Sequence, residues 1–257
     1  MRVKMLSFTG SARVGWTLRA KAGRKKVALE LGGNAGVAIA EDADLAFAAA
    51  RCAAGAFVQA GQVCIKVQRI FVHAAVAERF TALFLDEVRK LPAGDPHESS
   101  TVIGPLVDEA AAIRVESWIS EAVGRGAKVL LGGARRGTLV PATVLSGAPR
   151  DAKVSCEEVF GPVVTVDAVS DFDEALSRVN EGEWGLQAGV FTRDVDRIQR
   201  AFARLDVGTV VANEVPTFRV DNQPYGGVKG SGSGREGVRY AIDEMTERRA
   251  LLLCAPE

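Results

Sequence analysis

The residue most able to do chemistry is Cys64, in the run G-Q-V-C-I-K-V-Q-R at positions 61–69. It follows a glycine-containing bend and precedes the apolar stretch Ile70-Phe71-Val72, which reads as a strand by its aromatic and β-branched content. Upstream, residues 46–58 are alanine-rich and read as a helix. A helix-to-strand junction presents a side chain to a cleft rather than packing it. The competing reading is a small buried hydrophobe, the reading given to Cys52, Cys156 and Cys254. As a nucleophile, Cys64 needs deprotonation by a base or a cationic neighbour. Glu30, inside the apolar run L-E-L-G-G, is a candidate general base, since a carboxylate there is costly unless it is paired or its pKa is raised. A strand-end glutamate facing solvent is the alternative.

Three further stretches could hold a ligand. Phe8-Thr9-Gly10-Ser11 sits at a strand-to-helix turn, where free N–H groups and the helix dipole suit a phosphate. No G-x-G-x-x-G fingerprint supports it, so an ordinary helix cap is the simpler reading. In Glu158-Val159-Phe160-Gly161-Pro162, a carboxylate and an aromatic two positions apart would share one face of an extended segment. The other reading is a charged turn before a strand. The glycine-rich run 225–236 suggests a tight loop that allows close approach, and it does not fit G-x-x-x-x-G-K-[ST].

The elements that must position these residues alternate. Strands are expected near 3–8, 27–31, 36–39, 70–72, 127–131, 141–145, 163–169, 189–191 and 208–213. Helices are expected near 13–22, 45–57, 76–90, 109–124, 171–181 and 195–205. Asp42 or Asp44 would cap the second helix, and Ser170 or Asp171 a later one. A last helix precedes a final strand at 249–253. Strand, short turn, helix, strand at the start is a βαβ unit, so the class is α/β with mostly parallel strands. A parallel sheet needs more than two strands, yet little chain precedes the first.

Composition narrows the function classes. The chain has 257 residues, 47% apolar and 25% charged, as expected of a globular protein with a real core. Zero net charge gives no global field for nucleic acid or a membrane surface. Four cysteines without close pairing point to reduced thiols and a cytoplasmic setting. The only histidines are His73 and His97, both expected at the surface, so a histidine-rich metal site and a Ser-His-Asp triad are not expected. No apolar run is long enough to span a bilayer.

The ordered set F-T-G-S, L-E-L-G-G-N, G-Q-x-C-I-x-x-Q-R, E-E-V-F-G-P and P-Y-G-G-V-K-G-S-G-x-G-R-E resembles the NAD(P)-dependent aldehyde dehydrogenase superfamily over the whole chain. The resemblance implies a three-layer α/β catalytic domain with a partial Rossmann-like nucleotide-binding sheet. Members are roughly twice as long, and the chain looks like their C-terminal half. Residues 1–32 would be a remnant of the nucleotide-binding domain, 33–232 the catalytic domain, and 233–257 a return helix with an oligomerisation strand. Cys64 matches the nucleophile that adds to the aldehyde, forming a thiohemiacetal and then a thioester. Glu30 matches the base that activates thiol or water, and Glu236 a second carboxylate sometimes assigned a proton-relay role. The implied NAD or NADP would be held by Thr9, Gly10, Ser11, Leu31, Gly32, Glu158 and Phe160, with Glu158 on the nicotinamide ribose and Ser11 on the pyrophosphate. The asparagine that completes the oxyanion hole would lie outside this chain, which is therefore expected to be weakly active or inactive alone.

The cysteine loop looks like that of members acting on small hydroxylated or anionic aldehydes, such as lactaldehyde, phosphonoacetaldehyde or glyceraldehyde 3-phosphate. Arg219, in T-F-R-V-D, matches an arginine that binds substrate phosphate in the last group; an exposed loop arginine without a ligand is the alternative. The expected partners are a small aldehyde and further copies of the chain, as a dimer or tetramer. Two other classes stay open: a cysteine-dependent esterase, and a non-catalytic fragment that self-associates. Cofactor titration separates the first reading from these two, and ester turnover separates them from each other.

Overall fold

The computed structural model describes residues 3–255. Strand β1 (Met5–Thr9), helix α1 (Ala12–Lys21) and strand β2 (Lys26–Glu30) form the expected βαβ unit, with the two strands parallel. Strand β3 (Ala35–Ile39), helix α2 (Leu45–Phe57), strand β4 (Val67–His73) and helices α3 (Ala74–Arg89) and α4 (Glu109–Gly124) follow. Then come β5 (Lys128–Leu131), β6 (Thr143–Ser146), the short helix α5 (Lys153–Cys156), β7 (Val163–Val169) and α6 (Phe172–Asn180). The chain continues through β8 (Trp184–Gly185), β9 (Gln187–Phe191), α7 (Val195–Arg204), β10 (Thr209–Ala212), β11 (Val228–Lys229), β12 (Gly232–Ser233) and α8 (Val238–Met245).

The main sheet has the order β10-β9-β3-β4-β7-β6-β5, with every neighbouring pair parallel except β5–β6. Its central strands β3 and β4 are buried almost throughout because both faces are covered, and β3 is a continuous apolar run. On β3, Val37 and Ile39 join the core beneath α2, α3 and α4, while Ala38 and Ala40 join the core beneath α6 and α7. On β4 the same alternation sends Ile70 and Val72 one way and Phe71 the other. Helices on both faces of one sheet make the three layers expected.

Caps decide between the alternatives left by the sequence. The Asp44 side chain accepts from Phe47 N at 3.1 Å and caps α2. Asp42 instead accepts from Thr192 Oγ1 (2.8 Å) and Arg193 N (2.9 Å), tying β3 to the segment after β9. Asp171 caps α6 through Glu174 N at 2.8 Å, and Glu174 reaches back to Ser170 N at 2.7 Å. His97 is exposed as expected, whereas His73 is half-buried, its Nδ1 accepting from Ala75 N to cap α3.

Two expectations change. The small sheet has three strands, β1-β2-β12, and its third strand arrives antiparallel from the glycine-rich run, pairing Gly232 with Glu30 and Ser233 with Leu29. The strand expected at 249–253 is not formed. Residues 246–255 carry no regular structure, and Leu251, Leu252 and Leu253 are exposed. A strand exists only as half of a ladder, and nothing within the described residues pairs with this one.

Candidate active site

Every residue expected to act in catalysis or to hold cofactor or substrate lines one cleft of about 710 Å³. The ends of β1 and β2, the turn after α2, the loop before β7 and the loops flanking β11 and β12 all converge on it.

The thiol end begins at the C-terminus of α2. Val58–Gly61 forms a tight 3-10 turn in which Gln59 and Ala60 hold left-handed φ values of 52° and 54°. Gly61 continues at φ 69° and packs against the Gly161 carbonyl so closely that a Cβ would collide with it. Left-handed non-glycine residues cost on the order of 1 kcal/mol each, so the fold spends stability to redirect the chain here. The redirected chain enters a turn closed by Lys66 N on Val63 O (3.1 Å), with Cys64 half-buried at its tip. Cys64 Sγ lies 3.4 Å from the Tyr225 hydroxyl. Burial pushes the Cys64 thiol up; Tyr225 lowers it, and the Glu158 and Glu30 carboxylates raise it further.

Glu30 closes β2, opposite Thr9 on one side and Gly232 on the other. The next residue, Leu31, donates its N–H to Ser231 O at 3.0 Å, and the Glu30 carbonyl is used, accepting from Gly10 N at 3.0 Å. Its side chain is not, for Oε2 is buried without a hydrogen-bond partner among the described residues. Burial first and Glu236 second raise its pKa to about 8, against the opposing pull of Arg235 and Arg219. The solvent-facing alternative for Glu30 is thereby set aside. Gly226 leaves the space beside it: a Cβ there would sit 2.9 Å from Glu30 Oε1.

Glu236 is brought in by a two-way backbone bridge with Tyr225, at 3.2 and 2.6 Å. Its carboxylate accepts from Arg219 Nη2 at 2.9 Å, and the Arg219 guanidinium lies 4.0 Å over the Tyr225 ring. Arg219 is therefore an exposed loop arginine already paired with a carboxylate.

The opposite end is built on Glu158, whose Oε1 accepts from Gly33 N at 3.0 Å. A Cβ on Gly32 would collide with the same carboxylate, so glycine there makes a cradle where backbone and carboxylate approach closely. Burial raises the Glu158 pKa, opposed by the Gly33 N–H and then by Lys66 and Arg114. Lys66 is itself buried, donates to Val163 O at 2.5 Å, and is pushed down to about 7 by that burial. The Glu158 loop is clamped by buried amides. Asn34 Nδ2 donates to Ser155 O (2.9 Å) and Glu157 O (3.0 Å), while Gln68 Nε2 donates to Glu157 O (2.7 Å) and Gln68 Oε1 accepts from Val159 N (3.0 Å). Asn34 and Gln68 are thus the structural members of the G-G-N and Q-R motifs.

Phe160 sits at the mouth at φ +46° and 38% exposed, so the segment 158–160 is not extended and the expected shared face is not its geometry. Both side chains reach the cleft through the bend. Ser11 occupies the N-cap position of α1 but makes no capping side-chain bond, leaving its hydroxyl and the helix N-terminus toward the cleft. Leu31 packs behind them, against Gly15. Gln59, Gln62, Val63, Arg114 and Tyr225 complete the lining and were not singled out in the sequence. Tyr225 was visible as the first residue of the glycine-rich run and in the P-Y-G-G motif, with no role of its own, and Arg114 gave no signal.

A half-buried thiol and a carboxyl with an unpartnered buried oxygen thus stand at one end of a cleft in an α/β protein, with a glycine–carboxylate cradle at the other. The chain belongs to the aldehyde dehydrogenase family, whose model matches residues 1–251. It is 46% identical over 251 residues to the 3-sulfolactaldehyde dehydrogenase of Priestia megaterium, covering 98% of this chain and 53% of that one. Its fold superposes on aldehyde dehydrogenase 21 from Physcomitrella patens, solved with the reaction product succinate, with TM-score 0.92 and 45% identity over 95% of this chain and 51% of that one. It also superposes on the glyceraldehyde-3-phosphate dehydrogenase GapN of Methanocaldococcus jannaschii, solved with NADP, with TM-score 0.91 and 41% identity over 95% and 53%. The chain spans about half the length of the relatives it matches.

Proposed function

We propose that the cleft oxidises a small hydroxylated or anionic aldehyde to its acid with NAD or NADP. The observation that carries this reading is the pairing, in one cleft, of the Cys64 thiol with a Glu30 carboxyl that has a buried unpartnered oxygen. Cys64 adds to the aldehyde carbon as a thiohemiacetal, its backbone N–H facing the developing oxyanion. Cys64 would hold the thioester once hydride is lost, the bound nicotinamide supplying the hydride acceptor. Glu30, ionised, then takes a proton from the water that attacks the thioester, and Glu236 beside it offers the next proton position. At the other end, Glu158 with the Gly32–Gly33 cradle fits a ribose, and Thr9, Gly10 and Ser11 at the start of α1 fit a pyrophosphate. The Cβ collision at Gly32 supports this assignment, since only glycine keeps that approach open.

We assign the substrate class on the relatives' names and on Arg219, which would have to exchange Glu236 for a substrate anion. Residues 1–32 read as part of the nucleotide-binding sheet, 33–232 as the catalytic domain and 233–257 as the return segment. Because Gly232–Ser233 pairs with β2, we place the second boundary at the strand itself. The exposed leucines at 251–253 suit pairing with a second copy, and four unpaired thiols suit the cytoplasm. Among the described residues no helix is long and apolar enough to cross a membrane.

The test is NAD(P)H formation with 3-sulfolactaldehyde, lactaldehyde and glyceraldehyde 3-phosphate, on this chain and on the chain extended to its relatives' length. Turnover that survives Cys64→Ala in the active form overturns the reading.

A further inference from the structure

We infer that Tyr225 is a positioning residue for the nucleophile: its hydroxyl donates to Cys64 Sγ, and Arg219, stacked on the ring and held by Glu236, strengthens that donor. This deepens the reading above and rests on it for the role of Cys64.

The geometry is a continuous chain of contacts. The phenol oxygen lies 3.4 Å from Sγ, the guanidinium lies 4.0 Å over the ring, and Glu236 Oε2 lies 2.9 Å from Arg219 Nη2. Tyr225 is 4% exposed and is fixed at both backbone polar groups by the Glu236 bridge, so its hydroxyl has little freedom to turn away. A cation over an aromatic face draws electron density from the ring, which makes the phenol O–H the better donor.

The surroundings of Cys64 explain why a donor matters. Glu30 from the end of β2 and Glu158 from the loop before β7 both disfavour a thiolate, as does burial. Glu158 is in turn faced by Lys66 and Arg114, and Glu30 by Glu236, Arg235 and Arg219. Among the side chains acting on Cys64, Tyr225 is the one that favours the charged sulfur. If the thiol instead donated to the phenol oxygen, Tyr225 would hold the sulfur protonated, and the two directions predict opposite results.

The experiment is the pH profile of iodoacetamide alkylation at Cys64 in the whole chain, resolved peptide by peptide, with exposed Cys254 as reference in the same sample. It needs no cofactor and no aldehyde. Tyr225→Phe keeps the ring and removes the donor; the Cys64 midpoint should move up by about one unit, a roughly tenfold slower reaction below the midpoint. Arg219→Met keeps the phenol and should move it up by less, and Tyr240→Phe should not move it. A Tyr225→Phe midpoint that stays or falls overturns the inference; should that variant not fold, an unmoved Arg219→Met midpoint does so. Absent NAD(P)H formation by the chain extended to its relatives' length, beside an intact shift, would defeat the dehydrogenase reading and leave this inference standing.

Discussion

Two carboxylates face one cleft, and the fold treats them differently. Glu158 is surrounded by partners: the Gly33 N–H on one oxygen, with Lys66 and Arg114 facing it. Glu30 keeps a buried oxygen with no partner and is pushed up to about 8. Burial raises both, but at Glu158 the fixed donors oppose it and hold the carboxylate in place, which suits gripping a ligand. A carboxyl denied donors stays near the balance between its two protonation states, which suits moving a proton. Sequence alone presents both as glutamates beside glycine; their neighbours separate them.

The comparison is tested hardest by removing each carboxylate in turn. Steady-state hydrolysis of p-nitrophenyl acetate requires acylation of Cys64 and then attack by water. Glu30→Gln should leave the initial burst and lower the steady rate by roughly 10²–10⁴-fold, the span of general-base effects. The wild-type steady rate should rise as pH rises through about 8, because only the ionised carboxylate accepts the proton, and Glu30→Gln should flatten that rise. Glu158→Gln should leave ester turnover within a few-fold. Equal losses in the two variants would erase the distinction.

Adjacent glycines sharpen it. Gly33→Ala would place a Cβ 2.6 Å from the Cys64 carbonyl, so the nucleophile's turn must shift, and a displacement near 1 Å costs about a hundredfold in rate. Gly32→Ala instead meets the Glu158 carboxylate. It should weaken NADPH binding about tenfold, as loss of one charge-assisted contact does, with little effect on the ester burst. Fluorescence titration beside the ester assay reads both, and a reversed pattern would mean the two ends of the cleft have been assigned the wrong way round.

Much of this was legible in the chain. Helix 45–57, helix 109–124 and strand 163–169 lie where periodicity puts them, because each spans one buried face from cap to cap. Cys64, Glu30 and the glycine-rich stretches stood out in the chain, and the resemblance supplied the roles of the other predicted site residues, all of which line the cleft. Contacts that depend on where distant segments meet were not. Tyr225 lies far along the chain from Cys64, and nothing local announces their contact. Strand β12 is two residues long, below any periodic signal, and is a strand only because β2 lies beside it. The strand expected at 249–253 shows the converse: an apolar run suggests a ladder but cannot supply the second strand.

The smallest effect, in stability, follows from the same contrast. In the unfolded chain Glu30 titrates near 4.5, and in the folded chain near 8. Near pH 4.5 and below, both states hold the proton and the site costs little. Between these values the unfolded state releases its proton while the folded state keeps it, so stability falls as pH rises across the window. Above about 8 the folded protein carries a buried charge, and the loss is complete. Glu30→Gln removes the group that titrates, so its melting temperature should match wild type near pH 4.5 and exceed it near pH 9. Allowing for solvent on the cleft side, the gain is on the order of 1–2 kcal/mol, at roughly 2–4 °C for each kcal/mol in a chain of this size. Glu158→Gln should gain less near pH 9, since the Gly33 N–H, Lys66 and Arg114 offset part of the burial that raises its pKa. Melting curves at the two pH values decide the matter: a Glu30→Gln variant no more stable than wild type near pH 9 would mean that Glu30 carries no burial penalty and is not the poised base.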